Sequence, residues 1–138
     1  MSASAVPSVD PALQSFLAFD FGTRRTGVAV GNRITRSAQA LKTLHASGEA
    51  LWPQISACVS EWQPQALVVG IPLHPDGAAH EMTARAKKFA RQLHGRTHKP
   101  VFEVDERYSS VEAQGAGAPD LDSAAACIIL EQFLRSLP

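Results

Sequence analysis

Short, almost wholly apolar runs punctuate the chain, separated by longer segments whose apolar residues recur at helical spacing. Phe16 to Phe21 is the first run, interrupted only by Asp20 and closed by Gly22. That pattern predicts a strand buried on both faces. Gly22 to Gly27 reads as a turn, and Val28 to Gly31 as a returning strand. A weaker third strand is expected between Thr35 and Leu44. Leu51, Ile55, Cys58, Val59 and Trp62 then follow a helical period. Pro53 is tolerated only in a first turn, so this helix starts near Leu51. Ala66 to Gly70 predicts a second buried strand, followed by a Pro/Gly-rich loop from Ile71 to Gly77. Met82, Ala86, Phe89 and Leu93 mark another helix, and Val101 to Val104 a third buried strand. Ser109 and Glu112 have capping-box spacing, which predicts a short helix from Ser109. Ala126, Ile129, Leu130, Phe133 and Leu137 form the stripe of a last helix.

The opening strands are joined by short loops and should be antiparallel. The later ones alternate with helices and should be parallel. The expectation is an α/β domain, a mixed sheet with helices on its faces.

Length and composition narrow this picture. A chain of 138 residues suits one core. Residues 1–14, rich in Ser, Ala and Pro, read as a disordered arm, leaving 15–138 as a single domain. The start lacks the basic and apolar segments of a secretory signal, and no apolar run is long enough to span a membrane. Cys58 and Cys127 fall on apolar helix faces, outside any metal-binding spacing, and read as reduced core thiols. A cytoplasmic protein is expected. Lysine plus arginine equals aspartate plus glutamate at 13 each, which argues against a general polyanion binder but leaves local patches open.

The carboxylates change the picture. Asp20 ends an apolar strand, where an acid is costly unless bonded, paired or metal-bound. It could instead accept from turn amides near Gly22. Asp105 and Glu106 follow the last strand, at the edge where open α/β sheets place ligands. Alternation lets only one of them face a site, and the other reading is a solvated strand end with Arg107 as partner. Asp122 is either an N-cap or, being in phase with Ala126, Ile129 and Phe133, part of the stripe facing the sheet. In this topology the strand ends at Asp20, Gly70 and Asp105/Glu106 share one edge, and the last helix can bring Asp122 there. Converging acids repel unless a hard cation joins them. Oxygen ligands suit magnesium or manganese, and such a site supports metal-assisted phosphodiester hydrolysis.

Four segments carry a resemblance. Asp20 to Ala29, Gly70 to Leu73 with Asp76-Gly77, Asp105 to Ala113, and Asp122 to Leu130 resemble, in order, the motifs of the YqgF/RuvX family. The resemblance implies an RNase H-like fold with a five-stranded mixed sheet in the order 3-2-1-4-5. It also implies a nuclease, first described for Holliday junctions and later for 5′-end maturation of precursor small-subunit ribosomal RNA. Carried over by motif, the catalytic and metal-binding acids are Asp20, Glu106 and Asp122, with Asp105 as the rival to Glu106. The segment between Ala113 and Asp122 departs from the family in lacking basic residues.

Arg24, Arg25 and Arg107 are candidates for phosphate contact beside these acids. Lys87, Lys88 and Arg91 belong to a basic helical segment that either tracks a nucleic-acid backbone or simply faces solvent. Trp52 and Trp62 read as core or interface. The implied partner is nucleic acid, precursor ribosomal RNA ahead of branched DNA, with a ribosome precursor as a wider one. Sugar kinases and actin-like ATPases share the opening strand-turn-strand, but need two lobes for which this chain is too short. The remaining alternative is a non-catalytic module that docks on ribosome precursors.

Overall fold

The computed structural model describes residues 9–73, 81–105 and 121–138. Three antiparallel strands come first: β1 (Ser15–Asp20), β2 (Arg25–Asn32) and β3 (Ser37–His45). A 3-10 turn at Gly48–Ala50 leads into α1 (Leu51–Trp62), then β4 (Ala66–Ile71), α2 (Thr83–Thr97), β5 (Val101–Asp105) and α3 (Leu121–Ser136). The strands form one sheet in the order β3-β2-β1-β4-β5, with β4 parallel to both β1 and β5. The expected class, strand order and directions are all found. The capping-box helix expected at Ser109 lies outside the described residues.

Strand alternation sorts the core into two layers. Leu17, Phe19, Val28, Leu67 and Val69 face α1 and α2, where Ile55, Cys58, Phe89 and Leu93 complete a buried cluster. Phe16, Ala18, Ala29 and Val68 face α3, against Ala126, Ile129, Leu130 and Phe133. Phe133 is the hub of this second layer, with its ring 5.2 Å from that of Phe16 and 5.4 Å from that of Phe102. The free thiol of Cys58 is buried, and burial pushes the pKa values of both Cys58 and Cys127 up, so both stay protonated at neutral pH.

β4 is buried at every position, as a central strand flanked by helices should be. β5 is not the buried strand expected from its apolar run. Among the described residues it pairs only with β4, lies at the sheet edge, and exposes Glu103 and Asp105.

Residues 9–14, which composition assigns to a disordered arm, are docked. Val9 and Leu13 pack against the α3-side core. Arg33 donates from Nη1 to the carbonyls of Asp10 and Leu13, at 3.2 and 3.3 Å, and the Gln14 amide donates to Gln65 Oε1 at 2.7 Å. These bonds join backbone groups of the arm to side chains far along the chain, a pairing that composition does not encode. Residues 1–8 lie outside the described set.

At the far end of α3 the β2–β3 turn closes over the helix. Arg36 adopts a left-handed backbone (φ 57°) and donates to the carbonyls of Leu134, Leu137 and Pro138. A guanidinium there satisfies terminal carbonyls and complements the helix dipole.

Thr26 is wholly buried, and its Oγ1 has no hydrogen-bond partner among the described residues. An unbonded buried hydroxyl carries its desolvation cost uncompensated, whereas valine has nearly its shape and suits a strand. Thr26→Val should therefore stabilise the fold by about 1 kcal/mol. A urea midpoint that falls instead of rising would show that the hydroxyl is satisfied.

Candidate active site

The site is assembled by register. Asp20 is the last residue of β1 and sits opposite Gly27 of β2. Asp20 is in phase with Phe16 and Ala18, both in the α3-side core, so it belongs to that face. Gly27 is on the same face, and the first turn of α3 rests directly on it. A Cβ at Gly27 would overlap the carbonyl of Asp122 and come within 2.7 Å of the Ser123 nitrogen. Asp20 and Asp122 therefore meet at one corner of the sheet, with only a hydrogen where Gly27 would carry a side chain. This close approach explains a glycine inside a strand.

Asp122 is half-buried and lies within the first turn of α3. Its Oδ2 pairs with Arg25 Nε at 3.4 Å, the Arg25 side chain being 62% exposed. At that exposure the pair contributes little to stability, but it holds a cation beside the acid. Arg24, the preceding residue, is exposed in the β1–β2 turn. The turn itself is tight: a Cβ at Gly22 would stand 2.5 Å from the Arg25 carbonyl oxygen.

On β5 strand alternation assigns Asp105 to a face. Phe102 and Val104 pack with the α3-side core, and Val101 with the other. Glu103 confirms the alternation, pairing with Lys87 of α2 at 3.8 Å. Asp105 is in phase with Val101 and Glu103, which puts it on the α2 face, away from Asp20. Its register partner Ile71 follows Gly70, so it does reach the shared edge. Glu106 and Arg107 lie outside the described residues. Among the described residues, no group of three acid, histidine or cysteine side chains is close enough to hold a metal ion.

The basic residues of α2 divide in the same way. Lys87 turns to Glu103 on β5. Lys88 and Arg91 are exposed and make no ion pair among the described residues. Arg85, a basic residue not singled out as a site candidate, is also exposed and shares a cavity wall with Lys88. The roles of Gly27 and the Arg25–Asp122 pair were likewise not read from sequence. Glycines at 27 and 31, four apart in one strand, were the available signal: both face α3, and a Cβ at Gly31 would stand 3.0 Å from Leu130 Cδ2.

A five-stranded mixed sheet in this order, helices on both faces and acids gathered at the strand ends define an RNase H-like domain. Among solved structures it is similar to Thermus thermophilus RuvC in complex with a Holliday junction, with TM-score 0.59, 13% identity and 88% and 93% of the two chains covered. It is also similar to the fowlpox virus resolvase bound to Holliday junction DNA, with TM-score 0.58, 10% identity and coverage of 88% and 97%. At such identities the likeness speaks for the fold alone. The chain belongs to the RuvX family, whose profile, described as "RuvX: Holliday junction resolvase", matches residues 14–136. It is 62% identical over 138 residues, the whole of both chains, to a protein of Polaromonas sp. strain JS666 named "Putative pre-16S rRNA nuclease". A protein of Albidiferax ferrireducens with the same name is 60% identical over 140 residues, covering 98% of this chain and 90% of that one.

The seat on Gly27 yields a direct test. Gly27→Ala forces the α3 backbone off the strand and should cost about 3 kcal/mol, the upper end for an overpacked site that cannot relax. Denaturant unfolding measures this, and a loss below about 1 kcal/mol would mean that the helix does not bear on the strand there.

Proposed function

We propose that this chain is a hydrolase that cuts a phosphodiester bond in precursor small-subunit ribosomal RNA, near its 5′ end. The observation that carries the reading is the meeting of Asp20 and Asp122 at one corner of an RNase H-like sheet. The names of relatives covering the full chain support the substrate. Precursor ribosomal RNA as substrate fits a cytoplasmic protein. No described helix is long and apolar enough to cross a membrane.

The acidic set of this reading is Asp20, Glu106 and Asp122. Asp105 belongs to the other face of β5, which favours its neighbour as the third acid. The described donors are carboxylates without nitrogen or sulfur, a chemistry that fits magnesium or manganese. Such an ion, when bound, supplies Lewis acidity at the phosphoryl group and lowers the pKa of a water nucleophile. The chain's own residues position the substrate. Arg24, Arg25 and Arg107 are the guanidinium groups nearest the acids in sequence, suited to bidentate phosphate contact. Arg25 also places a positive charge beside Asp122. Lys88 and Arg91 offer charge to the backbone further along, with Lys87 shared with Glu103.

A second reading, cleavage of a four-way DNA junction, is favoured by the family description. Cleavage of precursor ribosomal RNA and of junction DNA, run side by side with magnesium and with manganese, decides between them. The expected result is site-directed cutting of the RNA. Symmetric nicking of the junction with the RNA left intact would transfer the assignment to DNA.

Asp20→Asn should lower cleavage by more than about 100-fold, the scale for losing one key electrostatic group. The purified variant should remain folded, because Asn keeps the size and shape of the Asp side chain. Undiminished cutting by the purified variant would remove Asp20 from the site.

The two acids after β5 are separable by the same assay. Glu106→Gln should impair cutting far more than Asp105→Asn, and the reverse ranking would replace Glu106 with Asp105.

A further inference from the structure

Asp20 and Phe21 are consecutive, so they leave the end of β1 toward opposite layers. Asp20 goes to the acidic corner. Phe21 packs on the α1/α2 side, where it lines a cavity of about 350 Å³ between the β1–β2 turn, the start of α1 and the exposed flank of α2. Its other walls include Trp52, Phe89, Arg85, Lys88 and Gln92.

The rings of this cavity are nearly parallel. Phe21 and Phe89 stack at 4.6 Å with 19° between planes, and Trp52 and Phe89 at 5.5 Å with 22°. Phe89 and Trp52 are already used. Phe89 is 2% exposed and Trp52 8%, and the Arg96 guanidinium lies 4.3 Å over the Trp52 ring. Phe21 is the half-exposed ring of the three. The cavity also has a sign. Its one acid, Glu49, is paired with Arg96 at 3.3 Å. Arg85 and Lys88, one helical turn apart, make no ion pair among the described residues.

An aromatic platform, two cations with no ion pair among the described residues and an amide in a space of this size match a flat ring that carries phosphate. We propose that this cavity is a subsite for one unstacked nucleotide of a single-stranded substrate, its base on Phe21 and its phosphates at Arg85 and Lys88. The inference rests on the nucleic-acid reading above and deepens it. The strand would pass over the end of β1, from the acidic corner on one face to the cavity on the other. A paired base has both faces covered by its neighbours and cannot use such a platform, so the subsite selects single-stranded over duplex substrate next to the cut.

The test uses the full chain in chelator-containing buffer and a short fluorescently labelled single-stranded RNA, with anisotropy as readout. Replacing each nucleotide in turn by an abasic one should reveal a position at which binding weakens about 10-fold, the scale of one base–aromatic stack. In Phe21→Leu, which keeps the apolar packing, wild-type RNA should bind about as weakly and the abasic penalty should vanish. Lys88→Gln, at an exposed position that does not endanger folding, should lower the slope of log affinity against log salt by roughly 0.7. A flat abasic scan, or unchanged affinity in Phe21→Leu, would overturn the subsite while leaving cleavage by Asp20 and Asp122 intact. Absence of any RNA binding by the wild type would overturn the nucleic-acid reading itself, and the subsite with it.

Discussion

The contact of the α3 backbone with Gly27 is the constraint on which the candidate site depends. A helix normally packs on a sheet through side chains on both partners. Here the strand contributes a hydrogen, and the helix backbone comes down onto it. Asp20 is the neighbour of Gly27 across β1–β2 pairing. The same contact therefore brings Asp122 to Asp20. Both residues are held at that corner by packing, and the energy for this comes from the apolar stripe of Ala126, Ile129, Leu130 and Phe133 further along the helix. Arg25 on the adjoining strand pairs with Asp122 there.

The second organising feature is the end of β1. Because alternate residues face alternate layers, a strand end can serve two surfaces with two consecutive side chains. The acidic corner belongs to the α3 layer and the aromatic cavity to the α1/α2 layer. They are neighbours in sequence although the sheet lies between their layers. β5 divides its residues in the same way, sending Glu103 and Asp105 toward α2 and Phe102 and Val104 toward α3.

Much of the fold is legible from the chain because burial on both faces leaves continuous apolar runs, and β1 and β4 show these clearly. Asp20 stands out for the complementary reason, an acid at the end of such a run. β5 was misread as buried because an apolar run does not say how many neighbours its strand will have. Asp122 is ambiguous in the sequence between cap and site, since both readings put an acid at a helix start; the structure puts it inside the first turn of α3 with its carboxylate on Arg25. The docking of residues 9–14 was illegible, because it rests on backbone carbonyls that Arg33 reaches from another strand.

The clamp made by Arg36 on Leu134 of α3 and on Leu137 and Pro138 just after it gives this geometry a mechanical side. A helix of 16 residues is a nearly rigid rod of about 24 Å. Near one end it bears on Gly27, and at the other it is tied to the β2–β3 turn. Asp122 sits at the Gly27 contact itself, the apolar stripe seats the middle of the rod, and Arg36 fixes its far end, so the β2–β3 hairpin holds the helix at both ends. The hairpin of β2 and β3 contributes no acid of its own, yet it acts as the alignment frame for one.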